Sequence, residues 1–284
     1  MRFASYTIEG QAVYGLVQEA SILEPPDEFR ARFPDLRSVL QAGALVEARQ
    51  AAQDGVQHAF DAVAFEPVIP HPGKILCVGA NYLTHMKEMG RVVPEYPWLF
   101  VRFADSQVGH GQPMIRPAAS DKYDFEGELA VIIGREARHI SKEDALDYVA
   151  GYSCFNDGTL RDFQEHGSQF TPGKNFYHSG SFGPWLVTVD EIPDPTRLTL
   201  ETRLNGQTMQ TALISDLRFG IGELIEYCST FSCLRPGDVI STGTTGGVGF
   251  ARKPPVWMQP GDVIEVEISG IGALRNAIVD EVGR

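Results

Sequence analysis

The chain has 284 residues, of which 43% are hydrophobic and 21% are charged, a composition typical of a globular protein with one large domain or a small and a large one. Its formal net charge of −13 argues against binding to nucleic acid or to an anionic membrane. No apolar run approaches the ~18 residues of a membrane-spanning helix. The four cysteines form no CxxC pair, and the start lacks an apolar signal region, so we expect a reduced, cytoplasmic protein.

The first 70 residues are predicted to form a small α+β domain. RFASY and AVYGLV alternate like the two strands of a hairpin around TIEGQ. FRARFPDLRSVLQAG and LVEARQAAQDG are predicted to be helical, and each ends at a glycine. Residues 65–74 are rich in proline and are interpreted as a linker, so the predicted domains are residues 1–70 and 71–284.

The larger domain is rich in predicted strands and turns. KILCVGANY is predicted to run from a strand into a loop, and YLTHMKEMGR to form a short helix. SKEDALDYVAGY, with Ser141 as its N-cap, and DLRFGIGELIEYCSTF are predicted to be helices. LRPGDVISTG and MQPGDVIEVEISG are interpreted as two type II turns that each lead into a strand. This excess of strands favours a mixed α/β fold with a rolled or barrel-like sheet over a doubly wound fold.

The segment DFEGELAVII carries two glutamates at the start of an apolar strand. Glu126 and Glu128 are two residues apart, so in a strand their side chains share one face. Close carboxylates repel unless a positive group lies between them. Asp157 ends another apolar segment, and three converging carboxylates favour Mg²⁺, Mn²⁺ or Ca²⁺ over zinc or copper. The alternative is that one glutamate faces solvent and the other pairs with an arginine.

Three further stretches hold groups suited to catalysis or anion binding. His85 and Glu88 are three residues apart in a predicted helical turn, which suits a general base as well as an exposed salt bridge. Lys174 precedes a glycine-studded loop, where it can hold a substrate carboxylate or an oxyanion, or be one more surface lysine. STGTTGGVGF resembles an anion-binding nest and has neither the P-loop nor the dinucleotide motif.

In this order, the stretches resemble the fumarylacetoacetate hydrolase family over most of residues 71–284. The matching segments are KILCVGANYLTHMKE, YDFEGELAVIIG, DYVAGYSCFNDGTLRDFQ, GKNFYHSGSFGPWLVT, LRPGDVISTGTTGGVGF and MQPGDVIEVEISGIGALRNAI. The resemblance implies a mixed β roll that is usually dimeric, here with a short leading unit. It also implies that Glu126, Glu128 and Asp157 are metal ligands and that His85 and Glu88 are a catalytic dyad on a mobile lid. Lys174 is implied to be the active-site lysine. The implied substrate contacts are Tyr82, Arg161, Gln164 and Thr244.

The implied activity is hydrolysis of a carbon–carbon bond in an acylpyruvate or 2,4-diketo acid, which gives pyruvate and a carboxylic acid. The implied cofactor is Mg²⁺ or Mn²⁺, with Ca²⁺ able to occupy the site, and the implied partners are a small anionic keto acid and a second copy of the chain.

Two other functions are open: a decarboxylase or keto–enol isomerase of a related β-keto diacid, and a non-catalytic metal- and carboxylate-binding protein. The joint presence of His85, Glu88 and Lys174 disfavours the non-catalytic function. Ala80 stands where family members often have arginine or leucine, and Arg102 stands where many have lysine. Because both positions are expected near the site, the sequence does not identify the substrate.

Overall fold

The computed structural model describes residues 1–83, 86 and 94–282. Within these residues the fold is mixed α/β and rich in strands, as predicted. The strands form a long sheet, a five-stranded sheet and a two-stranded ribbon. No helix in this part of the chain is long and apolar enough to span a lipid bilayer.

The long sheet contains the buried centre of the molecule. Its main path, in sheet order, is β4 (Val56–Ala59), β3 (Ser21–Glu24), β2 (Gln11–Gln18), β1 (Arg2–Ile8), β14 (Gly180–Thr188), β12 (Val149–Asn156), β11 (Gly127–Ile133), β17 (Val239–Ser241), β6 (Ile75–Gly79) and β7 (Trp98–Arg102). β5 (Ala64–Phe65) pairs with β1, and β8 (Gln107–Val108) pairs with β14. Because β11 and β12 are buried along their whole length, polar residues at their ends are carried into the interior.

The two smaller sheets pair segments that precede the central strands β11 and β12 in the chain with segments that follow them. The five-stranded sheet has the order β16 (Gln207–Leu213), β15 (Thr199–Leu204), β18 (Val263–Ile268), β19 (Gly272–Asp280) and β9 (Met114–Arg116). The ribbon pairs β10 (Tyr123–Asp124) with β13 (Thr159–Leu160). This ribbon holds the segment before β11 next to the segment after β12, which is where the predicted carboxylates lie.

The predicted N-terminal hairpin is formed by β1 and β2, which pair from Phe3 with Leu16 to Ile8 with Gln11. Glu9 and Gly10 connect them with φ angles of 49° and 79°, a conformation that matches the natural twist of a hairpin. β1 also pairs with β14, so the N-terminal strands continue the large sheet. The domain boundary at residue 70 stays a prediction.

The described α-helices are short apart from one of 11 residues. They are Asp27–Arg32, Leu36–Gln41, Leu45–Ala52, Arg161–Gln164, Thr171–Lys174 and Ile221–Phe231. The described 3-10 turns are Phe60–Ala62, Ala104–Ser106, Ala145–Tyr148, Pro195–Arg197, Ile214–Asp216 and Gly249–Ala251. The predicted helix FRARFPDLRSVLQAG divides at Pro34 because the residue before a proline avoids helical angles.

The helix predicted for SKEDALDYVAGY is wrong. Ser141 Oγ does accept from the amide of Asp144 at 3.3 Å, but only a 3-10 turn, Ala145–Tyr148, follows it. The residues from Val149 onward instead form β12, which pairs with β11 on one side and β14 on the other. Pairing and burial in the sheet centre outweigh the local helical pattern.

The two Pro-Gly-Asp turns are formed as predicted. Gly237 and Gly261 have φ angles of 84° and 92°, which the third position of a type II turn requires. The amide of Asp238 donates to Arg235 O at 2.9 Å, and β17 follows directly. The second turn leads into β18 in the same way.

Candidate metal and substrate site

A cavity of about 290 Å³ opens beside the ends of β6, β7 and β11. Its walls combine aromatic rings with acidic and basic side chains, and its volume suits a small ligand. The lining residues are Val78, Gly79, Ala80, Trp98, Phe100, Glu126, Glu128, Arg161, Gln164, Glu165, Gly167, Phe170, Lys174, Thr244 and Phe250. The aromatic wall was not predicted from the sequence.

Three buried carboxylates converge beside this cavity, as the sequence predicts. One oxygen from each of Glu126, Glu128 and Asp157 lies within 4.8 Å of the others. Glu126 directly precedes β11, and Asp157 directly follows β12. Because Gly127 pairs with Asn156, and the amide of Asp157 donates to Glu126 O at 2.8 Å, the two strand ends bring these carboxylates together.

Two of the three carboxylates are held by positive side chains. Lys174 Nζ lies 2.7 Å from Glu126 Oε2 and 2.6 Å from Asp157 Oδ2. Arg161 Nη1 lies 2.7 Å from Glu126 Oε1, and Arg102 Nη1 lies 2.5 Å from Asp157 Oδ1. Glu126 and Asp157 therefore have two cationic partners each. Burial opposes ionisation of Glu126, but Lys174 and Arg161 lower its pKa to about 2.

Glu128 is in a different electrostatic position, because no ion pair to it is formed within the described residues. Its Oε2 accepts from Ser241 Oγ at 2.5 Å and from the amide of Gly243 at 2.9 Å. Burial, followed by repulsion from Asp157 and Glu126, raises the pKa of Glu128 well above its usual value. Its charge is therefore the least well compensated of the three.

Backbone amides of the glycine- and threonine-rich loop donate to carboxylates of the chain itself, and binding of another anion by this loop stays a prediction. Besides the Glu128 contact, the amides of Gly249 and Phe250 donate to Asp124 at 2.7 and 3.0 Å. Arg161 Nε also donates to Asp124, at 2.8 Å. Asp124 was not predicted from the sequence, although it lies two residues before Glu126 in the same motif.

The other predicted substrate residues differ in their placement. Arg161, Gln164 and Thr244 line the cavity, and Gln164 Oε1 accepts from Arg161 Nη1 at 3.0 Å. Thr244 Oγ1 donates to Gly127 O at 2.9 Å. Tyr82 is fully buried in the apolar core and is not among the residues that line the cavity. A substrate contact from Tyr82 stays a prediction.

His85 and Glu88 lie outside the described residues, so their catalytic role also stays a prediction. The two positions that the sequence leads us to expect as departures from the family pattern are both at the site. Ala80 lines the cavity with a φ of 51°, an angle that is uncommon for a residue other than glycine. Arg102 is fully buried against Asp157.

The chemistry of this donor set fits a divalent cation. Among the described residues, the cluster contains Asp124, Glu126, Glu128 and Asp157 but only Arg102, Arg161 and Lys174 as cations. The buried carboxyl groups therefore outnumber the cations by one, and the raised pKa of Glu128 reflects its burial together with this excess. Oxygen ligands without histidine or cysteine favour Mg²⁺, Mn²⁺ or Ca²⁺ over zinc.

Residues 74–279 match the family model described as fumarylacetoacetate (FAA) hydrolase, C-terminal. The mitochondrial oxaloacetate tautomerase fahd2 of Xenopus laevis is 39% identical over 249 residues, which are 86% of this chain and 78% of that protein. The solved structure of fumarylacetoacetate hydrolase from psychrophilic Exiguobacterium antarcticum is 34% identical, has a TM-score of 0.87, and is matched over 99% of this chain and 100% of that chain. Maleylpyruvate hydrolase from Sphingobium sp. SYK-6, in complex with manganese(II) ion and pyruvate, is 26% identical with a TM-score of 0.82 over the same shares.

Proposed function

Because this chain belongs to the fumarylacetoacetate hydrolase family, we propose that it is a divalent-metal-dependent enzyme that acts on a small 2-keto acid through its enol form. The observation that carries the proposal is the group of three buried carboxylates beside a cavity of about 290 Å³. Lys174 and Arg161 line the same cavity, so a metal site and two cationic groups face one small space.

Glu126, Glu128 and Asp157 would hold the cation, and their oxygen ligands favour Mg²⁺ or Mn²⁺. When bound, the cation supplies a Lewis acid that draws charge from a keto oxygen. Glu128 brings the carboxylate charge that no described cation pairs with. We therefore expect Glu128 to be essential for cation affinity.

Lys174 and Arg161 would bind the anionic parts of the substrate. Burial acts to lower the pKa of Lys174, but Asp157 and Glu126 raise it above its ordinary value, so its ammonium group stays charged at neutral pH. A fixed charge of this kind stabilises an oxyanion in a dry site. Arg161 is already oriented by two carboxylates and by the ring of Phe250, 4.5 Å from its guanidinium carbon, and suits a substrate carboxylate.

The reaction we propose first is keto–enol tautomerisation of oxaloacetate or a related β-keto diacid. It moves a proton between a carbon and the neighbouring keto oxygen, and it requires no attacking water. Its demands are a cation that polarises the keto oxygen, which Glu126, Glu128 and Asp157 would hold, and a positive group for the second carboxylate, which Arg161 would supply. It also needs a base that takes the proton from carbon and returns it to oxygen, for which His85 and Glu88 are the candidates. The 39% identity to a tautomerase over 86% of this chain supports this reaction.

The second candidate is the one that the family resemblance implies first: hydrolysis of an acylpyruvate or 2,4-diketo acid. It requires an activated water, and His85 with Glu88 would take the proton from that water. Similarity to a maleylpyruvate hydrolase in complex with manganese(II) ion and pyruvate supports this reaction. A homodimer and a cytoplasmic location are further proposals from the family and the composition.

A substrate panel tests the proposal and separates the two reactions. The protein is stripped with a chelator, reloaded with Mg²⁺ or Mn²⁺, and mixed with enol oxaloacetate or with a series of acylpyruvates. Loss of enol absorbance without pyruvate release indicates tautomerisation. Loss of diketone absorbance with pyruvate release indicates hydrolysis, and pyruvate released from oxaloacetate indicates decarboxylation. No acceleration of any of these reactions by the loaded protein would overturn the proposed function.

A further inference from the structure

We propose that Arg102 is a positioning residue that fixes the direction of the Asp157 carboxylate and thereby sets the affinity of the site for its cation. This inference rests on the proposed function, because it assigns Asp157 to the metal. It concerns a residue in the long sheet rather than one that touches the substrate. Arg102 ends β7, and its guanidinium group extends into the interior, where its side chain has no exposed surface.

The guanidinium group is held by acceptors from three separate segments. Nη1 donates to Asp157 Oδ1 at 2.5 Å and to Gly158 O at 2.9 Å. Nε donates to Ser106 Oγ at 3.1 Å, and Nη2 donates to Ser179 Oγ at 3.0 Å. The bonds to Gly158, Ser106 and Ser179 thus fix the plane of the guanidinium group independently of its contact with Asp157.

The space around the guanidinium group leaves little freedom for it to move. A Cβ atom built on Gly180 would lie only 2.7 Å from Arg102 Nη2, so a side chain there would displace the group. Close packing of this kind transmits the position of the guanidinium group to the carboxylate that it contacts.

The two oxygens of Asp157 have different partners. Oδ1 accepts from Arg102, whereas Oδ2 lies 2.6 Å from Lys174 Nζ, which also lies 2.7 Å from Glu126 Oε2. With Oδ1 held by Arg102, the carboxylate is oriented so that Oδ2 faces Lys174, which joins it to Glu126. A hydrogen-bonded partner behind a ligand commonly sets the orientation and strength of that ligand.

Lysine cannot do the same work in this place. Its ammonium group is a single point of charge, whereas arginine presents a planar fork of donors. A lysine at residue 102 would keep the positive charge near Asp157, but the three N–H groups on its single nitrogen could not bond Asp157, Gly158, Ser106 and Ser179 at the same time. The change Arg102→Lys therefore removes the fork of donors while keeping the charge.

The test is cation affinity measured without substrate. Binding of Mn²⁺ is titrated by calorimetry for the wild type, for Arg102→Lys and for Arg203→Lys. Arg203 is the control because it bonds Glu201 at 3.0 Å in another sheet, away from the cluster. Ser179→Ala is a milder variant that removes one acceptor of Arg102 and leaves every charge in place. Thermal unfolding of each chelated protein reports on stability separately.

We expect Arg102→Lys to weaken Mn²⁺ binding by about 10-fold or more, the scale seen when a group that orients a metal ligand is lost. We expect Ser179→Ala to weaken it by a smaller factor, and Arg203→Lys to leave it unchanged. Should Arg102→Lys fail to fold, Ser179→Ala decides: weaker binding with unchanged unfolding supports the proposal, and unchanged binding overturns it.

If a folded Arg102→Lys variant binds Mn²⁺ with wild-type affinity, whatever its unfolding temperature, the proposal is overturned and Arg102 contributes only to the stability of the fold. Two further results separate this proposal from the proposed function. If the wild type binds no Mn²⁺, both are overturned. If it binds Mn²⁺ but converts no keto acid, the proposed reaction is overturned, and the comparison of affinities still decides the role of Arg102.

Discussion

Glu24 and Glu126 are equally buried glutamates, each with 8% of its surface exposed, but they lie in different surroundings. The Glu24 carboxylate contacts Arg30 at 2.9 Å, His58 at 2.8 Å and the hydroxyl of Tyr6 at 3.2 Å. Its oxygens are therefore occupied by groups that connect β1, β3, β4 and a nearby helix.

Glu126 has comparable partners in Lys174 and Arg161, but it also lies beside Glu128 and Asp157 and faces a cavity. Partners alone thus do not distinguish a structural carboxylate from a functional one. The difference is the surplus of carboxylates over cations at a place that a small molecule can enter. Each of the following predictions tests whether that difference has the consequences proposed here.

The largest effect is expected from removing the cation. Exhaustive chelation should abolish turnover of the best keto acid, and added Mg²⁺ or Mn²⁺ should restore it. Zn²⁺ should not be preferred over these ions, because the ligand atoms are all oxygen. The measurement is turnover against added metal, with the metal content of the stripped protein determined. Full activity in protein shown to be free of metal would remove the basis for the metal site.

Replacing Lys174 by methionine should lower turnover by about 10²- to 10³-fold, the scale of losing one preorganised group that stabilises an oxyanion. Methionine keeps most of the volume but removes the charge that lies between Glu126 and Asp157. Lys74→Met is a matched control, since Lys74 pairs with Asp238 near another turn. Equal turnover in the two variants would contradict the role of Lys174.

His85→Ala and Glu88→Ala should each lower hydrolysis of an acylpyruvate by about 10²-fold or more, as for loss of a general base, while cation affinity is retained. Both turnover and Mn²⁺ binding are measured for each variant. If hydrolysis stays near normal in both, the assigned dyad is wrong. Tautomerisation, which needs no attacking water, becomes the better-supported reaction only if the wild type hydrolyses no acylpyruvate.

The smallest effect on activity is expected at the structural glutamate. Glu24→Gln should leave turnover per folded molecule and cation affinity unchanged. It should lower the free energy of unfolding by about 1–3 kcal/mol, because it weakens buried contacts to Arg30 and His58. Chemical denaturation and steady-state kinetics on the same preparation check both parts. A loss of turnover without a loss of stability would contradict the assignment of Glu24 as a structural glutamate.

The sequence predicted the carboxylates well because each of them lies at the end of a strand within a recognisable motif. Asp124 and Gln210 were missed because their roles depend on distant partners. Asp124 binds the amide of Gly249, and Gln210 Oε1 accepts from the amide of Gly127 at 2.9 Å. These contacts link residues 125 and 83 positions apart, and no local pattern encodes them.

The wrongly predicted helix before and into β12 has the same kind of cause. Ser141 and Asp144 form the expected local contact, but the residues from Val149 onward form β12, which pairs with β11 on one side and with β14 on the other. Local patterns thus predicted the N-terminal hairpin and both Pro-Gly turns, whereas long-range pairing decided the central sheet.

The central claim is tested most directly by counting bound Mn²⁺ per chain at equilibrium for the wild type, Glu24→Gln and Glu128→Gln. Glutamine at residue 128 can still accept from Ser241 and Gly243, so the change removes the surplus charge with little change of shape. We expect one ion per chain in the wild type and in Glu24→Gln, with affinity weakened by more than about 100-fold in Glu128→Gln, since a direct ligand matters more than a group that orients one. Wild-type binding by Glu128→Gln, or weakened binding by Glu24→Gln, would contradict the account.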